Sequence, residues 1–307
     1  MSPRESCRST DPLDFQNLDQ TVAVMAKGFP PGFHIAPHSH ARDQLLYAVS
    51  GTMRIRTHSE AWIVPPDRAV YVPANVVHSV AMRESVEMRT LYIARPTAMK
   101  LPTAPVVLVV TPLLKALVLA LLEEPLAYAP HSRADHMALL ILDEIERAKP
   151  LDMSIPMPQD ARLLRLCEAL IGNPELASTL DDWTEQVGAS RRTLARLFRK
   201  DCGIAFTTWR QRVRFHAAIE ALSRGASVSE AARQSGYGSP SAFTSAFRKS
   251  FGVAPRDLSK NARSKHDGSA AALGLRANDA DALADWRDGR PSLAKPKARD
   301  ARSRRTS

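Results

Sequence analysis

The 307-residue chain is poor in cysteine, glycine and aromatic residues. Its three cysteines, Cys7, Cys167 and Cys202, form no CxxC pair, which excludes a disulfide framework. Cys167 and Cys202 read as reduced core thiols. Only 13 glycines are present, and none builds a phosphate-cradling loop. No Ser/His/Asp or Cys/His arrangement marks a nucleophilic enzyme. Long hydrophobic runs are missing as well. The most apolar stretch, residues 106–122, is broken by Thr111, Pro112 and Lys115 and is too short to span a bilayer. The N-terminus lacks an apolar signal region. The expectation is a cytoplasmic chain of two domains with no membrane partner.

What is present is a pattern that occurs twice near the C-terminus. Residues 187–200 and 235–249 each read as the end of a short helix, a glycine turn and a second helix. In the first copy Thr179 and Asp182 pair as a capping box, Gly188 turns the chain, and Ser190 caps the next helix. In the second copy Ser227 and Glu230 form the box, Gly236 turns, and Ser239 caps a helix that opens at Pro240. Leu194, Leu197 and Phe198, and then Phe243, Ala246 and Phe247, supply the buried stripes. Between the copies, Phe206 to Leu222 reads as one amphipathic helix closed by Gly225. Such a helix spans roughly 25 Å. It would hold the two second helices near the roughly 34 Å of one DNA turn.

Charge supports this reading. Residues 190–260 hold 14 Lys/Arg against 4 Asp/Glu, whereas residues 1–189 hold 17 against 22. The positive charge sits on the repeat, as expected of a phosphate-binding module.

Residues of about 160–258 resemble the DNA-binding domain of AraC/XylS-type transcriptional regulators. The resemblance is carried by Gly236-Tyr237-Gly238-Ser239-Pro240-Ser241-Ala242-Phe243 and by Phe247-Arg248-Lys249-Ser250-Phe251-Gly252-Val253-Ala254-Pro255. It implies base-reading positions at Arg192, Ala195 and Arg196, with Arg191 beside them, and at Pro240, Ser241, Thr244 and Ser245. An arginine binds guanine bidentately, worth about 1–3 kcal/mol of discrimination. Arg192 and Arg196 are therefore the specificity candidates, with phosphate contact as their alternative role. Ser241, Thr244 and Ser245 discriminate bases weakly and suit backbone positioning.

Residues 20–95 have a different texture. Gln44–Val49, Thr52–Arg56, Ala61–Val64, Ala69–Val72 and Val86–Ile93 read as short strands, which suggests a sandwich or barrel. This stretch resembles a cupin barrel. Gly32, His38-Ser39-His40, Gln44 and Gly51 match its first motif, with Gln44 where the family has Glu. Asp67, Pro73, Asn75 and His78 fall at the offsets of its second, with Asp67 and Asn75 in place of glycines. His38 and His40 point to one side of a strand, and His78 would join them inside the barrel. Three imidazoles and an oxygen donor can hold a divalent transition metal such as Ni, Zn, Fe or Mn. The same residues also suit an organic-effector pocket, with Tyr47, Trp62 and Tyr71 as lining or as ordinary core aromatics.

The expected fold class is α+β and multidomain. Residues 1–18 are expected to be disordered, and 19–110 to form the cupin-like sensor. Residues 111–149 would be a helical dimerisation segment or pack against the barrel. Residues 150–159 would be a proline-rich linker, 160–260 an all-α domain with two helix-turn-helix units, and 261–307 a disordered basic tail. The expected function is that of an effector-responsive regulator that binds double-stranded DNA. The resemblance implies a homodimer, with RNA polymerase as a partner if it activates. The alternatives are a metal-dependent cupin enzyme with an appended DNA-binding domain, and an architectural DNA binder without effector.

Overall fold

The computed structural model describes residues 9–96, 98–174 and 179–257. Cys7, the first eight residues and the basic tail of 261–307 lie outside the described residues.

Eleven strands are described. They are β1 (Val22–Phe29), β2 (His34–His38), β3 (Asp43–Ser50), β4 (Met53–Thr57), β5 (Glu60–Val64), β6 (Arg68–Val72), β7 (His78–Met82), β8 (Val86–Ile93), β9 (Val106–Val109), β10 (Pro150–Leu151) and β11 (Ile155–Pro156). They form two antiparallel sheets, β1-β8-β3-β6-β9-β10 and β11-β5-β4-β7-β2. The inner faces meet in an apolar core that includes Met25, Leu46, Val72, Met53, Ile55 and Met82. This is the sandwich expected of a cupin.

Strand alternation decides which residues enter the barrel. On β3, Leu46 and Ala48 face in, while Leu45 and Tyr47 face out; on β6, Val70 and Val72 face in, while Ala69 and Tyr71 face out. The outward set packs under α1 (Pro112–Leu122) and α2 (Arg133–Arg147). Thr111 caps α1 by accepting from the Leu114 N–H, and Pro112 opens it. Leu114, Leu117, Val118 and Leu121 of α1 and Met137, Ile141, Leu142 and Ile145 of α2 are buried in this layer, whereas Leu113, Leu139 and Leu140 are about half exposed.

The C-terminal part is helical: α3 (Ala161–Gly172), α4 (Thr184–Val187), α5 (Arg191–Cys202), α6 (Phe206–Ser223), α7 (Val228–Gln234) and α8 (Pro240–Phe251). The first reader unit is α4 and α5, and the second is α7 and α8. Gly188 and Gly236 make the two turns at φ 64° and 78°. The core of the first unit gathers Leu194, Phe198, Trp209 and Val213 with Cys167 and Cys202. Phe215, Phe243, Phe247 and Phe251 form that of the second.

Two expectations need correction. Residues 9–18 are ordered: Pro12–Phe15 form a 3-10 turn capped by Asp11, and Phe15 is buried and stacked on Tyr92 at 5.6 Å. Arg42 fixes this arm by donating to the carbonyls of Gln16, Leu18 and Gln20. One aromatic anchor and one arginine hold the arm without any periodic pattern. The stretch 150–158 is extended, but it is not a free spacer. Pro150–Leu151 pair with β9, Ile155–Pro156 pair with β5, and Met153, Ile155 and Met157 are buried. The segment is a seam that closes both sheets and carries the chain onto the reader helices.

Candidate DNA-reading surface and sensor site

Each second helix of the pair is fixed by its own caps. Ser190 accepts from the Thr193 N–H to start α5, and Gly203 ends it at φ 71°. Ser239 accepts from the Ala242 N–H to start α8, and Gly252 ends it at φ 72°. In the first unit, Thr179 donates to Asp182 Oδ2 through both its N–H (2.6 Å) and its hydroxyl (3.0 Å). With Leu194, Phe198, Phe243 and Phe247 turned inward, the opposite faces are left to solvent.

Those outward faces carry the residues singled out from sequence. Arg191, Arg192, Ala195 and Arg196 are all exposed on the first turns of α5. Arg191 lies 3.6 Å from Asp181. Among the described residues, no ion pair engages Arg192 or Arg196. On α8, Pro240, Ser241, Thr244 and Ser245 line one open concavity of about 650 Å³. Arg248 and Lys249 complete its wall. Sequence reasoning misses these two cations, although they sit one turn beyond Thr244 and Ser245 on the same helix. The α5 face thus offers forked guanidinium donors, and the α8 face offers small hydroxyls backed by two cations.

At the other end of the chain, His38 at the end of β2, His40 in the loop that leads to β3 and His78 at the start of β7 come together. Their candidate ligand atoms lie within 4.8 Å of one another. The ring centroids are 4.8 Å apart for His38–His40, 4.4 Å for His38–His78 and 5.7 Å for His40–His78. The backbone orients two of the rings: His38 Nδ1 is 2.8 Å from the Ala36 carbonyl, and His78 Nδ1 is 3.0 Å from the Val76 carbonyl. That fixes the Nδ1–H tautomer and turns each Nε2 away from its own backbone. Among the described residues, His40 Nε2, His78 Nε2 and Gln44 Oε1 are buried without a hydrogen-bond partner. Burial lowers the pKa of all three histidines; His40 falls to about 3, helped by His38 and His78, and His78 falls to about 4. The cluster is therefore neutral near pH 7, the form in which imidazole binds a metal.

The glycine replacements in the second cupin motif have a physical explanation. Asp67 and Asn75 hold φ of 68° and 63°. They keep the left-handed backbone a glycine would provide, which Asp and Asn tolerate better than other residues.

Of the three aromatic residues read as pocket lining or as ordinary core, only Trp62 belongs to the barrel-interior core. Tyr47 and Tyr71 lie on the outer face of their sheet under α1 and α2, so they do not line it. Tyr71 instead donates to Asp43 Oδ2 at 2.5 Å. Tyr92 takes the interior place, 5.1 Å edge-on from His40 and opposite Gln44 in the β3–β8 register. Register could have revealed it, since Tyr92 pairs directly with Gln44 across β3 and β8.

Between the two sites runs β4. Its inward residues, Met53 and Ile55, belong to the barrel core. Its outward residues meet the helices: Arg54 donates to both Glu220 oxygens at 2.6 and 2.9 Å, and Arg56 pairs with Glu168 at 2.6 Å. Thr52, just before the strand, hydrogen-bonds Ser223 at 2.9 Å. Trp209 donates to the Pro156 carbonyl at 2.7 Å, and Arg212 grips Asp152.

Comparison with known proteins agrees with both halves. A helix-turn-helix domain model matches residues 183–261, and a cupin domain model matches residues 27–94. The HTH-type transcriptional regulator NimR of Escherichia coli is 28% identical over 71% of this chain and 80% of its own length. The HTH-type transcriptional regulator RipA of Corynebacterium glutamicum is 33% identical over 33% of this chain and 30% of its own. Among solved structures, ToxT from Vibrio cholerae aligns over 79% of this chain and 99% of its own at 10% identity, with a TM-score of 0.33. Twin capped reader units behind a cupin sandwich, matched by both family models and by a regulator along most of its length, place this chain among the AraC-type, DNA-binding transcriptional regulators.

Proposed function

We propose that the barrel senses a small molecule or a metal and that β4 carries the signal to the DNA readers. The observation behind this reading is the alternation along β4. Met53 and Ile55 line the barrel, while Arg54 and Arg56 hold α6 and α3. His78 on β7 pairs in register with Thr57 of β4. A shift of β4 by a ligand therefore strains the contacts that seat both reader units. An effector that binds two such arrangements unequally shifts their populations, and with them DNA affinity.

In this reading Arg192 and Arg196 recognise bases and Arg191 supports them. Ala195 offers only an apolar contact. Pro240, Ser241, Thr244 and Ser245 set the position of the second unit, and Arg248 and Lys249 take phosphates. The half-exposed Leu113, Leu139 and Leu140 suit a homodimer formed through α1 and α2. The chain acts in the cytoplasm as a regulator rather than an enzyme, in keeping with the regulators it matches. No described helix is long and apolar enough to cross a membrane.

The residues present fit a divalent transition metal. His38, His40 and His78 would hold it together with the Gln44 amide oxygen, and the buried, unpartnered His40 Nε2, His78 Nε2 and Gln44 Oε1 are what such a site needs. When bound, it would supply a Lewis-acidic coordination point for an effector.

Hydrogen exchange on the full chain, with and without added zinc, tests the relay. Zinc should slow exchange in β2 and β7 and also change it in β4 and α6. Changes confined to the barrel would contradict the relay and leave only a local binding site.

A further inference from the structure

The donor set is electrically unusual. It consists of three imidazoles and one amide, with no carboxylate or thiol in the cluster. A divalent ion held by these groups keeps its full charge inside a sandwich lined by Met25, Leu46, Val72, Val80 and Met82. An uncompensated charge in such surroundings carries a heavy desolvation cost. The nearby carboxylates are engaged elsewhere. Asp43 lies on the opposite face of β3, held by Tyr71, the Ala74 N–H and Arg95, and Asp11 caps the N-terminal turn.

A second observation points to a ligand. Thr90 is fully buried, and its hydroxyl has no partner among the described residues. It shares the inward face of β8 with Met88 and Tyr92, and it pairs in register with Leu46 and Met25, both in the barrel core. A spare hydrogen-bond donor therefore stands on the same wall as Tyr92, two residues along the strand. The Gln44 amide oxygen has no partner either.

We propose that Gln44 leaves this site one negative charge short, so that the chain takes up a divalent transition metal and a small carboxylate together, with the Thr90 hydroxyl available to the carboxylate. The proposal rests on the metal-holding reading above. It assigns the effector to a chemical class: a small organic acid rather than a neutral compound. It also gives Gln44 a role as the residue that makes metal retention depend on the effector. A glutamate at 44 would supply the missing charge permanently and remove that dependence.

The test is calorimetric titration of the full chain with zinc sulfate in low-chloride buffer, with and without acetate as the carboxylate probe. Acetate should tighten zinc binding by at least about tenfold, or about 1.4 kcal/mol. Gln44→Glu should bind zinc tightly without acetate and gain little from it. Thr90→Val should bind zinc as the wild type does without acetate and lose most of the acetate effect. Equal zinc affinity of the wild type with and without acetate would overturn the coupled uptake while leaving the metal site in place. No zinc binding by the wild type under either condition would overturn the metal reading itself. The wild-type pair of titrations decides this even if a buried glutamate keeps the Gln44→Glu variant from folding.

Discussion

Arg54 of β4 and Glu220 of α6 form a two-pronged ion pair, 2.6 and 2.9 Å, across the contact between the sensor barrel and the helix that joins the two reader units. Both side chains are largely buried, at 17% and 7% exposure. Arg83 and Arg224 also lie near enough to bear on the same charges. Glu220 is therefore one acid among three arginines, and the two partners should not be equivalent. Glu220→Ala leaves cations facing one another and should cost about 3 kcal/mol, whereas Arg54→Ala leaves Glu220 with Arg83 and should cost about half as much. Urea unfolding of both variants and the double mutant measures this. Equal single costs that add in the double mutant would contradict it.

The two reader helices should divide their labour. Arg192→Ala and Arg196→Ala should lower the ratio of specific to non-specific DNA affinity, each by about 1–3 kcal/mol. Arg248→Ala and Lys249→Ala should weaken binding to all sequences alike and reduce the salt slope by about 0.9 each. Fluorescence anisotropy against specific and scrambled duplexes at several salt concentrations separates the two effects. Unchanged discrimination in both α5 variants would assign those arginines to phosphates instead.

His216 on α6 is fully buried, with Phe251 edge-on at 5.5 Å. Burial, with Arg212 and Arg54 nearby, lowers its pKa from 6.5 to about 3. Above pH 6.5 both folded and unfolded chains leave it neutral. Between 6.5 and 3 only the unfolded chain takes the proton, so stability falls as pH falls through that window. His40 and His78 shift in the same direction, so the comparison must be made against a variant. The stability advantage of the wild type over His216→Leu should shrink by about 2 kcal/mol between pH 7.5 and pH 5. Parallel pH curves for the two proteins would remove His216 as the cause.

Gly236 holds φ 78°, and a side-chain carbon there would sit 3.2 Å from Arg214 Nη1. Gly236→Val should cost about 1–3 kcal/mol because a β-branched residue tolerates this backbone poorly. Gly236→Asn should be much milder, as Asn75 already shows in the barrel turn of this same chain. Thermal unfolding compares the two; equal losses would mean that space, not backbone conformation, sets the requirement.

How much of the fold is legible in the sequence follows from how densely each element is marked. The reader units carry a cap, a turn glycine and an apolar stripe within about twenty residues, so the residue types alone place Ser190 and Ser239 as caps and Gly188 and Gly236 as turns. The histidine cluster is legible because His38, His40 and His78 belong to spaced motifs. β2 and β7 are not, because their strands are short and spend positions on histidines rather than apolar residues. Residue type alone leaves Tyr47 and Tyr71 open as pocket lining or as ordinary core, because it does not show which way a strand faces. The alternation of β3 and the pairing of Gln44 with Tyr92 do show it. The pairing of Pro150–Leu151 and Ile155–Pro156 with two different sheets is non-local and too short to leave a pattern.

The most direct measurement of the central claim is selection of duplexes from a random DNA pool by the full chain, followed by sequencing. Two reader units on one rigid helix predict an enriched site with two conserved blocks about one helical turn apart. The block read by α5 should be the more sharply defined and guanine-containing, and it should lose definition in the Arg192→Ala, Arg196→Ala double variant. A pool that stays random, or a single block indifferent to those two arginines, would contradict the paired-reader account.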